Sequence, residues 1–328
     1  MKKARILFAT FVLAFMGLLL LPGESPAQKF NPNGTEPIEF VVQAAAGGGS
    51  DLQARTMQAV IEKEKLSTHP LAVVNRVGGA GAIAYTYVSG KKGNPYVWAT
   101  ATTGFLQTPL LTKTVYNYKQ FTPLCTLAFD DFLIVVRADS PYKTMKDLID
   151  FARKNPGEVK VGGTTAQSPD AIIVFQIQRE TGVKLNYIPF KGGGDVMVAL
   201  LGGHVDMASA NPGEALAQME AKKVRVLGAS TVKRLEGAPD IPTLKEQGMN
   251  VVFRQPRCIA APKDIPKEAL TYYEKLLKKM SESKPWKEKY IKENMLSPHY
   301  LNSADTLKFW EEETAWLTQI MKEMKLIK

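Results

Sequence analysis

Short runs of apolar and β-branched residues recur along this chain, each bounded by Gly, Pro, Asn or Asp. The stretches between them carry apolar residues at helical spacing. The runs predict strands at Ile38–Val42, Leu71–Asn75, Tyr96–Thr100, Phe132–Val136 and Val159–Gly162. Further strands are predicted at Leu185–Ile188, Asp206–Ala210, Val224–Ala229, Val251–Arg254 and Cys258–Ala261. Thr144-Met145-Lys146-Asp147 has the form of a capping box and starts a helix that Asn155-Pro156-Gly157 ends. Nearer the C-terminus, Leu270, Tyr273, Leu277 and Met280 share one helix face, and Leu307, Trp310, Leu317, Met321 and Met324 share another. Strands alternating with helices predict an α/β fold with two mostly parallel sheets flanked by helices.

Two of the predicted strand-to-helix joints are runs of three glycines. Gly47-Gly48-Gly49-Ser50-Asp51 follows the first strand and precedes a helical stretch from Leu52 to Lys65. Gly192-Gly193-Gly194-Asp195 follows Leu185 to Phe190. Such a turn lets backbone approach a ligand closely and aims the free N–H groups of the helix start at it. Two of them, far apart in the chain, predict two lobes that each offer donors to one anion. Asp51 and Asp195 are read as stabilisers of the helix starts rather than as ligand contacts.

Other strand ends carry similar polar loops. Thr102-Thr103-Gly104 follows the third strand. Thr164, Thr165, Gln167 and Ser168 lie in the loop after the fifth, where Ser168 is placed as an N-cap before Pro169. Lys191 stands just before the second glycine run, and Asn211 closes the seventh strand. In open α/β sheets ligands lie beyond the carboxyl ends of strands, where these loops gather. Hydroxyls, backbone amides, one lysine and positive helix ends make a carboxylate site. No Ser- or Pro-rich linker divides the chain. Phe121-Thr122-Pro123 and Gln255-Pro256-Arg257 are read as two crossings between lobes. They give one lobe at 28–129 plus 256–328 and a second at 130–255.

Residues 1–27 are read as a signal peptide. Lys2, Lys3 and Arg5 precede an apolar stretch from Ile6 to Leu21, and Ser25-Pro26-Ala27 offers small residues for cleavage. That stretch is shorter than the roughly 20 residues a membrane span needs. A soluble periplasmic protein is therefore expected. Cleavage takes the formal net charge from +10 to +8. The lysines are scattered and no aromatic–basic module occurs, so small acidic ligands are expected and nucleic acid is not. Cys125 and Cys258 are expected to be separate buried thiols.

The machinery of an enzyme is not found. His69, His204 and His299 do not stand at metal-ligand spacing, and His69 and His299 read as surface loop residues. No nucleophile elbow, zinc helix or P-loop occurs. Asp130 and Asp131 are adjacent, so on a strand they face opposite ways. Gly79-Ala80-Gly81-Ala82-Ile83-Ala84 matches a dinucleotide fingerprint, but no acidic residue closes the next strand, so it is read as a tight turn with helix packing. No metal or cofactor is expected.

The ordered set of motifs resembles the Bug family of periplasmic solute receptors, the binding components of tripartite tricarboxylate transporters. The resemblance rests on Ala45 to Asp51, on Asn75-Arg76 with Gly78 to Gly81, and on Gly162-Gly163-Thr164 through Ser168-Pro169. Its most specific stretch is Pro189-Phe190-Lys191-Gly192-Gly193-Gly194 followed by Leu200 to Asp206. It implies a two-lobed flytrap of type II topology, a monomer, that closes on a small organic carboxylate and delivers it to membrane permease subunits. Where the family often has Pro-Phe or Pro-Tyr before the first glycine loop, this chain has Gln43-Ala44. The change removes an aromatic wall and lets Gln43 add an amide contact. The alternatives are a ligand-sensing partner of a membrane signalling protein and, behind it, a secreted enzyme.

Overall fold

The computed structural model describes residues 28–165 and 167–328, so the signal-peptide reading of 1–27 lies outside the described residues. Two sheets organise two lobes. The first is ordered β11-β4-β10-β3-β1-β2 and the second β7-β6-β8-β5-β9. The first contains β1 (Ile38–Val42), β2 (Leu71–Asn75), β3 (Val97–Ala101), β4 (Phe121–Asp131), β10 (Arg254–Pro262) and β11 (Ser297–Leu301). The second contains β5 (Leu133–Arg137), β6 (Lys160–Gly163), β7 (Asn186–Pro189), β8 (Met207–Ala210) and β9 (Val224–Ala229).

Both sheets are mixed, which corrects the mostly parallel expectation. Only β1 with β2 and β3, and β6 with β7 and β8, pair in parallel. The cause lies in the two crossings. Phe132 alone separates β4 from β5, so the chain passes from one sheet to the other without a crossover helix. β10 brings it back, antiparallel to β4 from Arg254 opposite Asp131 to Pro262 opposite Phe121. A strand arriving from the other lobe has no helix to set it parallel, and β5 pairs antiparallel with both β8 and β9. The run at Val251 to Phe253 is not a strand of its own, because Phe253 N–H bonds to the Ser230 carbonyl and pairing begins at Arg254.

Helices cover the sheet faces. In chain order they are α1 (Gly49–Lys63), α2 (Ala82–Ser89), α3 (Thr103–Leu111), α4 (Met145–Lys154) and α5 (Pro169–Thr181). Then come α6 (Gly193–Leu201), α7 (Pro212–Glu220), α8 (Lys267–Glu282) and α9 (Ser303–Glu323). A short π-helical segment, Lys287–Lys292, lies between the last two. α4 starts as its sequence predicts, with Thr144 and Asp147 each accepting the other's backbone N–H. No helix among the described residues is long and apolar enough to cross a membrane.

α9 belongs to both lobes. Its Trp310 packs on Phe105 of α3, ring centroids 4.9 Å apart, while Arg179 of α5 pairs with Glu323 near its far end at 2.7 Å. Trp310, Leu317, Ile320 and Met321 share one buried cluster with Phe105 and Tyr116 of the first lobe and Ile173 and Ile177 of the second.

Cys125 and Cys258 are free and fully buried. They belong to different core clusters, Cys258 with Trp310 and Cys125 with Trp286. His69 is not a surface residue: it is 1% exposed, and its ring nitrogens meet the carbonyls of Glu36 at 2.8 Å and Asn31 at 2.9 Å. The Pro70 that follows starts no loop there, because its carbonyl accepts the Ile38 N–H and joins the sheet. His299 lies at the surface but on β11, not in a loop.

Candidate functional site

β1 ends where Gln43 turns its amide back into the fold. Gln43 Nε2 donates to Ser50 Oγ at 2.9 Å, and its Oε1 accepts from Thr100 Oγ1 at 2.5 Å. The loop beyond is shaped by Asp51, which is 2% exposed. Asp51 accepts from the Gly47 N–H, Arg55 Nε and Asn75 Nδ2, each at 2.9 Å. Burial pushes the Asp51 carboxyl up, but the hydrogen bonds from Arg55, Gly47 and Asn75 outweigh that and hold it below its ordinary range. A lowered pKa contributes stability that is complete above the ordinary carboxyl range and is lost as pH falls through the lowered value. The stability gap between wild type and Asp51→Asn should therefore close as pH falls through and below the ordinary carboxyl range in denaturant titrations. A gap that widens in acid would contradict this account of the loop.

With Asp51 engaged by the loop, the start of α1 is left open. Gly48 is its N-cap and no side chain caps it. The N-terminal amides of α1 and the positive end of its dipole face a cleft between the lobes. The cleft has a volume of about 470 Å³ and is lined by Gln43, Ala44, Gly47, Gly48, Gly49, Ser50 and Thr102 on the first-lobe side. Asn211, Gly213 and Glu214 line it from the second lobe, and Asp130, Gln255 and Arg257 from the crossings. Leu52, Tyr290, Asn294 and Leu296 complete the wall.

Arg257 is the centre of this arrangement. It is 6% exposed and stands against the start of α1, where a Cβ on Gly49 would lie 2.7 Å from its Nη2. Nη2 donates to Asp130, which is 4% exposed. Burial opposes the charge of the guanidinium, and the Tyr290 hydroxyl, Asp130 and Glu214 together more than restore it. Its buried Nε has no hydrogen-bond partner. A guanidinium with an idle N–H, beside an uncapped helix start, is a seat for a planar anion such as a carboxylate. Asp131, the neighbour of Asp130, faces the other way. It accepts from Arg254 Nε at 2.7 Å and from Ser297 Oγ, and so ties β4, β10 and β11 together behind the cleft.

The polar loops predicted from the sequence do not all reach this cleft. Gln43, Ala44, Gly47, Gly48, Gly49, Ser50, Thr102 and Asn211 line it; Thr103, Gly104, Thr164, Gln167 and Ser168 do not. Thr103 is fully buried at the start of α3. Thr164 donates its N–H and hydroxyl to Asp170 Oδ2, at 2.9 and 2.6 Å. Ser168 takes the N-cap position of α5, but its hydroxyl goes to the same Asp170 oxygen at 3.1 Å rather than to the helix start. The Gln167 carbonyl accepts from the Gln107 side chain of the first lobe. Thr165 and Lys191 line a separate surface depression with Pro189, Phe190 and Asp195. Arg257, Asp130 and Glu214 went unforeseen. The one available signal was a pair of acids, Asp130 and Asp131, near one crossing and a pair of arginines, Arg254 and Arg257, near the other. Among the described residues, no group of three or more His, Cys, Asp or Glu side chains is placed to hold a metal ion.

Comparison with known proteins gives the family. The family model described as tripartite tricarboxylate transporter family receptor matches residues 54–326. The UPF0065 protein in the gbd 5' region of Cupriavidus necator is 29% identical over 316 residues, 96% of this chain and 94% of its own. A TctC solute-binding protein from Polaromonas superposes with a TM-score of 0.76 at 26% identity, covering 88% of this chain and 98% of that one. The Rhodopseudomonas palustris protein Rpa4515, with adipate, gives a TM-score of 0.77 at 26% identity, covering 88% and 97%. The family match runs from within α1 through both crossings to beyond α9, and this chain belongs to the tripartite tricarboxylate transporter receptor family.

Proposed function

We propose that this protein is an exported receptor that captures a small organic carboxylate between its lobes and hands it to membrane permease subunits. The observation that carries the reading is the buried Arg257 guanidinium, with its Nε unpartnered, against the uncapped start of α1. The lobes are residues 28–129 with 256–328, and 130–255, and α9 braces the back of both. The adipate in the Rpa4515 structure supports the ligand class. Residues 1–27 are the export signal, and the mature protein begins near Gln28 in the periplasm as a monomer. The carboxylate sits on the α1 amides, Ser50 and Arg257, and Thr102 and Asn211 close over it from either side.

Closure of two lobes joined by two strands is a hinge motion. The expected results are a smaller radius of gyration in solution scattering with ligand than without it, and calorimetric binding of the free acid but not of its methyl ester. Removing the charge weakens each hydrogen bond at this seat from the charge-assisted to the neutral class, a loss of at least about tenfold in affinity. Equal affinity for acid and ester would refute the carboxylate reading. An unchanged scattering profile at saturating acid would refute closure alone.

A further inference from the structure

We infer that Glu214 makes this cleft selective for a monocarboxylate whose far end donates hydrogen bonds, and that it turns a second carboxylate away. The inference rests on the carboxylate reading above and concerns the opposite wall of the same cleft.

The two walls differ in charge: the first is the glycine start of α1, and the second is lined by Asn211, Gly213 and Glu214, with the glycine start of α6 against Glu214. On the first-lobe wall α1 is open, and Arg257 adds a positive charge. On the second-lobe wall Gly192 caps α6 and no side chain of the cap residue closes it. Here the protein supplies its own anion. The Glu214 carboxylate is pressed against Gly193, where an added Cβ would lie 2.1 Å from Oε1 and 2.3 Å from Oε2. The missing side chain at 193 is what admits it. The Asn211 N–H holds Oε2 at 3.3 Å, and the positive end of α6 favours a carboxylate in this place. Glu214 also lines the cleft, across from Gly47 to Ser50. The residue is exposed to cleft water, and its carboxyl group lies against Gly193.

Negative charge is already crowded there. Glu214 feels Asp170 of α5 and Asp130 of β4, against the single guanidinium of Arg257 on β10. Loss of hydration first, then Asp170 and Asp130, push its carboxyl up to about 7, against the pull of the Asn211 N–H and Arg257. Above about pH 7, where Glu214 is ionised, a ligand carboxylate arriving at this wall meets like charge where a helix start would otherwise receive it. A hydroxyl, amide or ammonium at the far end meets an acceptor and relieves the crowding.

The test is calorimetric titration of wild type and Glu214→Gln at about pH 8.5, where Glu214 is ionised, with two matched series. One is succinate, 4-hydroxybutyrate, 4-aminobutyrate and butyrate; the other is adipate, 6-hydroxyhexanoate, 6-aminohexanoate and hexanoate. In wild type, a donor-ended acid of one length should bind at least about tenfold tighter than the matched dicarboxylate. In Glu214→Gln, which keeps the shape and removes the charge, that ratio should fall by about tenfold or more, chiefly through a gain for the dicarboxylate. Butyrate or hexanoate should change little between the two proteins. A dicarboxylate that binds wild type as tightly as its donor-ended partner overturns the inference, as does a ratio that Glu214→Gln leaves unchanged. In both cases binding of the plain monocarboxylate keeps the carboxylate reading intact. If no acid of either series binds, both fall together. The ammonium and hydroxyl arms decide which donor is read.

Discussion

Arg257→Met is expected to abolish carboxylate binding and to destabilise the fold at the same time. The guanidinium is buried and paired with a buried Asp130, so its removal strands a carboxylate away from water. Breaking a buried ion pair in this way costs about 3–5 kcal/mol. The two effects separate in a double variant. Arg257→Met with Asp130→Leu replaces the pair by apolar groups, which is often close to neutral for stability. Chemical denaturation should therefore show the double variant recovering most of the loss. Calorimetry should show no recovery of binding, because the guanidinium that lines the cleft is still gone. If the double variant regains affinity, Arg257 holds the structure and not the ligand.

Gly49→Val attacks the same seat from the backbone side. The new Cβ would stand 2.7 Å from Arg257 Nη2 and 3.3 Å from Cζ and Nη1. The guanidinium has no free path away, since Asp130 fixes it and the residue is buried. Overpacking of this kind costs about 1–3 kcal/mol. The larger effect falls on binding, where both the shifted guanidinium and the shielded amides of α1 lose their contact with the anion. Two charged hydrogen bonds at about 1.5–3 kcal/mol each give a loss of more than about 100-fold. Gly48→Ala is the control, because its Cβ would meet only the Ala45 carbonyl at 3.2 Å and the Ala44 Cβ at 3.6 Å. Similar affinities for the two variants would remove Arg257 and the α1 start from the binding seat.

Most strands of the two sheets were readable because each is a compact apolar run with a polar break on either side, whereas β11, Ser297-Pro298-His299-Tyr300-Leu301, has no such run and was not predicted. Ile38–Val42, Leu71–Asn75 and Val224–Ala229 are found with the bounds their composition predicts. β4 was harder to read. Its eleven residues contain Thr122, Pro123 and Asp130, and they make a strand only because β10 and β11 flank them. The directions of the crossing strands were hidden for the same reason, since pairing of β4 with β10 joins residues more than a hundred positions apart. The glycine loop of α1 was legible from local chemistry alone. Arg257 was not, because an arginine at a strand start has no local mark of burial. Its partner and the helix that it faces come from elsewhere in the chain. Glu214 was hidden by a plainer role, as a member of the Asn211 helix start.

The helix that spans both lobes also equips the protein with an optical gauge. The chain has four tryptophans. Trp98, Trp286 and Trp310 are each no more than 1% exposed, and Trp98 and Trp286 sit in a core cluster built from the first lobe alone. Trp316 is different. It is only partly buried, it lies on α9 between the end that grips the first lobe and the end that grips the second, and its ring leans on Phe253 at 5.8 Å, just ahead of the returning strand. Any rotation of one lobe against the other must reset that edge. Trp98 and Trp286 thus give a constant background, and the indoles of the helix shared by both lobes read the angle of the hinge, with no dye attached.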